Sequence, residues 1–173
     1  MGNGFDYFNP ITLYKTSDGI TFEHLTHFNI KDASETTIRL SDNDVMYALV
    51  RKERHTASIG KSLPPYTDWS FTNLDYGLAG QNFLFLNDST LCIGARKYIG
   101  ATIYDQMTVI YITDLNGNIK KEIGLESGFD SSYPAFLIVE DELWVSYYSS
   151  HENERQSSIY LAKIPLINLF VEK

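Results

Sequence analysis

The feature that most constrains this chain is a hairpin that recurs three times, as a short alternating run, an acidic turn and a second run, at intervals of about 45 to 51 residues. The first copy runs from Thr36 to Leu40, turns at Ser41-Asp42-Asn43-Asp44 and returns over Val45 to Arg51. The second runs from Asn82 to Leu86, turns at Asn87-Asp88-Ser89 and returns over Thr90 to Arg96; the third spans Tyr133 to Leu137, Ile138 to Asp141 and Glu142 to Tyr148. Polar and apolar side chains alternate along these runs, the period of a strand. Further hairpins flank them, Ile11 to Thr16 with Phe22 to Phe28, Thr56 to Ser62 with Trp69 to Leu74, and Met107 to Leu115 with Ile119 to Leu125. The repeat unit is therefore four antiparallel strands in about 50 residues. Such units bury their faces only on their neighbours, which is the arrangement of β-propeller blades.

The expected fold is all-β, one partial propeller domain over residues 1–173 with blade segments at about 8–30, 33–75, 80–126 and 130–171. The first segment supplies only two outer strands, two blades are whole, and the last supplies three strands, with residues 167–171 read as a short strand or a frayed end. About three and a half blades do not close a ring. The chain is expected to derive from a longer protein, to pair with a second copy as a homodimer, or to pack as an open arc, because bare blade edges and faces otherwise aggregate.

Composition agrees. Twelve Tyr and ten Phe against five Pro make a strand-forming mixture. A net charge of -8 excludes a sequence-independent nucleic-acid binder, which needs a basic surface, although a few converging arginines can still hold a small anion. The single cysteine, Cys92, excludes an internal disulfide and reads as a small buried hydrophobe within Leu91-Cys92-Ile93. No run approaches the ~20 apolar residues of a membrane span. Met1-Gly2-Asn3-Gly4 lacks the features of a signal peptide, but one could lie on a missing N-terminal part, so the compartment stays open, secreted or periplasmic included. His24, His27, His55 and His151 lack metal-ligand spacing, and there is no phosphate loop or Gly-x-Ser-x-Gly elbow, so no cofactor and no metal are expected.

Thr16-Ser17-Asp18-Gly19-Ile20-Thr21-Phe22 resembles the Asp box of sialidase-like propellers (neuraminidases, BNR repeats), with looser versions at Asp68-Trp69-Ser70-Phe71 and Asp114-Leu115-Asn116-Gly117-Asn118. Its reading is structural: Asp18 caps the turn, Gly19 takes a positive φ and Phe22 anchors the turn in the core. The stretch from Gly128-Phe129-Asp130-Ser131-Ser132-Tyr133-Pro134 through Leu143 to Glu152 and Ser158 to Lys163 resembles the closing blade of bacterial sialidase-like proteins. The resemblance covers residues 10 to 166 and places them as the second half of a six-bladed ring.

Propeller chemistry gathers where each innermost strand begins and the second strand ends. Here those positions are Glu35-Thr36, Gln81-Asn82 and Ser132-Tyr133, then Arg51, Arg96 and Tyr148. The resemblance implies Tyr133 as a nucleophile, Glu35 as the acceptor of its proton, and Arg51 as a carboxylate-binding arginine. A further arginine of the family pattern is absent at Gly80-Gln81-Asn82, where Arg96 is the nearby substitute; Gln81 and Tyr148 complete the substrate-binding candidates. Another arginine and the acid/base aspartate would lie outside this chain, so the catalytic set is incomplete. The implied function is a sialidase-like glycoside hydrolase, or a fragment of one, exo-acting on the terminal acidic sugars of glycans. The alternative is a non-catalytic carbohydrate-binding or protein-interaction segment in which Tyr98, Tyr147 and Tyr148 stack on a sugar or a partner. Structural readings stand beside these: Tyr133 as a packed aromatic, Arg51 and Arg96 as solvated edge charges, Glu35 as a turn residue.

Overall fold

A computed structural model describes residues 10–52, 56–102, 104–153 and 156–170, so the readings that fall on His55, on Glu154 and Arg155, and on the first nine and last three positions lie outside the described residues. As the repeat predicts, the chain is nearly all β, arranged in antiparallel sheets that follow one another in sequence. The first sheet pairs β1 (Ile11–Lys15) with β2 (Glu23–Phe28). The second holds β3 (Ala33–Leu40), β4 (Met46–Lys52), β5 (Thr56–Ser62) and β6 (Ser70–Leu74) in chain order. The third holds β7 (Ala79–Asn87), β8 (Thr90–Tyr98), β9 (Gln106–Asp114) and β10 (Ile119–Gly124), and the fourth β11 (Ser131–Val139), β12 (Glu142–Ser149) and β13 (Ser158–Pro165).

Successive sheets stack face to face, and the core consists of the layers between them. Phe28 and Ile30 meet Ala48 and Val50 between the first and second sheets. Tyr47, Leu49 and Ile59 meet Phe83, Leu91, Ile93 and Tyr111 between the second and third. Cys92, Ile110 and Ile112 meet Leu143, Val145 and Tyr147 between the third and fourth. Central strands buried on both faces read as continuous apolar runs, Ala48-Leu49-Val50 and Val109-Ile110-Tyr111-Ile112, because alternate residues serve opposite layers. In β12 only one face is buried, and its burial alternates strictly.

Two details depart from the sequence reading. Residues 167–170 form a helical turn, α1 (Ile167–Phe170), rather than a strand: Pro165 closes β13, Leu169 N–H bonds back to Leu166 C=O at 3.0 Å, and the Leu169 side chain is buried in the layer of the third and fourth sheets. Phe22 does not anchor the Asp-box turn, being 61% exposed; the buried aromatic of this hairpin is Phe28, at its other end opposite Ile11, its ring 4.7 Å from Trp69 and 5.2 Å from Phe71. The turn itself is capped as expected. Asp18 Oδ1 accepts from the N–H groups of Ile20 and Thr21, each at 2.8 Å, which holds its carboxyl well below the usual range, and Gly19 has φ +74°. Asp114 repeats the device, accepting from Asn116 and Asn118 N–H.

Candidate functional site

Each inner strand is bulged near its start. Two residues face one across the ladder: Ser34-Glu35 opposite Arg51, Gly80-Gln81 opposite Ala95, and Tyr133-Pro134 opposite Tyr147. A bulge bends its strand and re-aims a side chain. It also explains why β3, β7 and β11 begin two or three residues before the alternating runs.

One residue from each bulge meets the others. The Tyr133 hydroxyl donates to Glu35 Oε1 at 2.8 Å, the Gly80 N–H donates to Glu35 Oε2 at 2.9 Å, and Arg51 Nη1 lies 3.2 Å from that second oxygen. Gly80 is required by both its backbone and its surroundings. Its φ is +55°, and a Cβ there would sit 2.4 Å from Ser132 Oγ and 3.3 Å from the Tyr133 ring. Tyr133 itself has φ +51° and is 58% exposed.

Burial raises the pKa of Glu35, but the hydrogen bonds from Tyr133, Gly80 and Arg51, with the charge of Arg51, outweigh it and leave the carboxyl below its usual range. The Tyr133 phenol is held above its usual value, chiefly by that bond to Glu35. The proton rests on the phenol, and a neutral hydroxyl faces an anionic acceptor.

Arg96 and Tyr148 form a second cluster around Asp130. Arg96 Nε donates to Ser131 C=O at 2.8 Å, and its Nη2 donates to Asp130 Oδ1 at 2.9 Å and to the Tyr148 hydroxyl at 2.7 Å. Tyr148 in turn donates to Asp130 Oδ1 at 2.6 Å, and burial first, then this bond, pushes its phenol up to about 12. The two clusters touch through the Tyr133 and Tyr148 rings, stacked with centroids 6.1 Å apart and planes 22° apart. Asp130 was not singled out from sequence, although it lies three residues before Tyr133 in the segment that carries the resemblance.

The two clusters together form a mouth at the starts of the inner strands, and Gln81 is buried beside Glu35, its Nε2 donating to the carbonyls of Glu35 and Leu49 at 2.9 and 3.3 Å. Tyr147 is no sugar platform: it is 6% exposed and its hydroxyl donates to Glu126 C=O. Tyr98 is partly exposed beside a cavity shared with Tyr76 and Lys97. Glu35 and Arg51 are paired with each other rather than free in solvent, and the Arg96 side chain is only 17% exposed. Among the described residues no three His, Cys, Asp or Glu side chains are grouped to hold a metal ion, and no helix is long and apolar enough to cross a membrane. His24 and His27 touch, Nε2 to Nε2 at 3.0 Å, on the outer face of the first sheet.

No protein-family profile and no curated protein matches the sequence. Solved structures do. The chain superposes on an endo-1,4-beta-xylanase from Bacteroides thetaiotaomicron VPI-5482 with a TM-score of 0.59 and 11% identity, over 88% of this chain and 59% of that one. It superposes on a GH43 glycoside hydrolase engineered to display endo-xylanase and exo-arabinofuranosidase activity with a TM-score of 0.57 and 11% identity, over 90% of this chain and 37% of that one. The fold is thus that of a partial β-propeller, and this chain spans about three fifths or less of the two structures it matches.

Proposed function

We propose that the mouth is the acidic-sugar site of a sialidase-like glycoside hydrolase acting on the terminal sugars of glycans. In this reading Tyr133 is the nucleophile, Glu35 accepts its proton, and Arg51 grips the sugar carboxylate; Arg96, Gln81 and Tyr148 line or support the site. The observation that carries it is the 2.8 Å bond from the Tyr133 hydroxyl to Glu35 Oε1, made between residues 98 apart in the chain, with an arginine on the other carboxylate oxygen. One structural neighbour is named as an endo-1,4-beta-xylanase and the other as a GH43 glycoside hydrolase, which supports a glycan over a protein partner.

A neutral phenol is not repelled by an anionic sugar and needs a base only as it attacks. As the Tyr133 oxygen bonds to the anomeric carbon, the bond from that carbon to the aglycone oxygen breaks and the phenol proton passes to Glu35. The leaving oxygen takes its proton from an acid, which the resemblance assigns to an aspartate outside this chain. Water then attacks the same carbon and gives up a proton to the aspartate that had protonated the leaving oxygen, while Tyr133 leaves as its phenol with the proton returned from Glu35, and configuration is retained. Because the free phenol holds its proton more tightly than Glu35 does, transfer accompanies carbon–oxygen bond formation rather than preceding it.

In an active full-length context, Tyr133→Phe is expected to slow hydrolysis of an aryl sialoside by at least about 100-fold; unchanged hydrolysis removes the nucleophile assignment. The exposed ring of Tyr133, backed by Tyr148, also favours a second reading, a non-catalytic platform for a sugar. Binding without turnover in that full-length context selects it. A second copy of the chain completing the ring is the alternative to a longer protein, since the outer face of the fourth sheet exposes Leu137, Ile159 and Leu161. Light scattering at twice 19.7 kDa supports that assembly, and a 19.7 kDa monomer removes it.

A further inference from the structure

We infer that Arg96, Asp130 and Tyr148 form a clamp that holds Tyr133 against Glu35, so that Arg96 is a positioning residue of the mouth and not a second arginine for the ligand. The part this plays in sugar chemistry rests on the reading above; the clamp itself does not.

Tyr133 needs holding. Its backbone occupies the left-handed region that residues with a Cβ seldom adopt, and with more than half its surface exposed, burial does not fix it. Two contacts supply the constraint. Tyr148 pairs across the ladder with Ser132, which places its ring alongside that of Tyr133 at 6.1 Å. Arg96 reaches from the third sheet to the Ser131 carbonyl, two residues before Tyr133, and so ties the bulge to its neighbour. The clamp is closed on itself: Arg96 bonds Asp130 and Tyr148, and Tyr148 bonds the same Asp130 oxygen. With Nε on a backbone carbonyl, Nη2 on two side chains and only 17% of the side chain exposed, the Arg96 guanidinium has these two nitrogens engaged within the protein.

The competing account gives Arg96 only a charge. That charge lowers the pKa of Tyr133, whereas the bond to Glu35 raises it, so the two accounts predict opposite signs. The test is an NMR titration of the Tyr133 ring carbon in the free 173-residue chain, the signal assigned by its loss in Tyr133→Phe. With the clamp cut in Arg96→Met, Tyr133 swings off Glu35 and its midpoint falls toward the ordinary 10.0. An unchanged or higher midpoint overturns the proposal. Tyr148→Leu, which removes the stacked ring and keeps Arg96, is the second variant should Arg96→Met fail to fold; it too is expected to lower the midpoint, and no fall overturns the clamp. Arg96→Lys keeps the charge and loses the bond to Ser131, so a midpoint equal to the native one also counts against it. No sugar is present, so the result is independent of whether the mouth binds one.

Discussion

Glu35 is the residue on which the mouth converges, since groups from three sheets end on its two oxygens. Its pKa is lowered in the fold, so it stabilises the protein above the ordinary 4.5, and that contribution is lost as pH falls through the folded value. Tyr133, raised in the fold, stabilises below the ordinary 10.0 and loses its contribution as pH rises through its folded value. The pair is therefore intact between these limits. Melting temperature measured between about pH 3 and pH 7 should fall on the acid side, and Glu35→Gln should flatten that fall. Gly80→Ala should cost roughly 1–2 kcal/mol for the left-handed backbone alone. The same variant should also lower the Tyr133 midpoint, because the added Cβ meets Ser132 and the Tyr133 ring. Glu35, Arg51 and Tyr133 could be singled out from sequence by comparing strand ends between repeats and by resemblance to a known pattern. Gly80 and Asp130 could not. A bulge is one extra residue whose meaning depends on the partner strand's register, and Asp130 acts through a loop that only the fold brings beside Arg96.

At the scale of the elements, the hairpins were legible because their alternation is local, whereas two ends were not. In the Asp box, Asp18 and Gly19 behave as their chemistry dictates, but whether Phe22 is buried depends on what covers the first sheet. In the tail, Ile167 to Phe170 are apolar enough for a strand, and the fold uses Leu169 as a plug for the layer beside Leu143 instead. The layers between sheets carry the stability. Leu49→Ala and Leu143→Ala, at fully buried positions in two different layers, should each destabilise by about 2–5 kcal/mol in denaturant unfolding. Cys92, also fully buried, has its thiol pushed up to about 12 by desolvation, so it should resist alkylation in the folded chain and react on unfolding. Rapid labelling under native conditions would contradict the packing of that layer.

Across the described residues, successive stacked sheets are tied near the starts of their inner strands by polar bonds between neighbours. Thr37 Oγ1 donates to Gln81 C=O at 3.0 Å, Asn82 Nδ2 donates to Pro134 C=O at 3.0 Å, and Ser132 Oγ donates to Ala79 C=O at 2.8 Å. These ties bring Glu35 and Tyr133 together, so their contact is a property of the stacked sheets and not of any single one. The most direct measurement is an NMR titration of the chain with sialic acid and, separately, with its uncharged methyl ester. The acid is expected to shift the Tyr133 and Arg51 signals, the ester is expected to leave them unmoved, and Arg51→Met is expected to abolish the response. Equal binding of acid and ester, or an unaltered response in Arg51→Met, would show that the mouth does not recognise a sugar carboxylate.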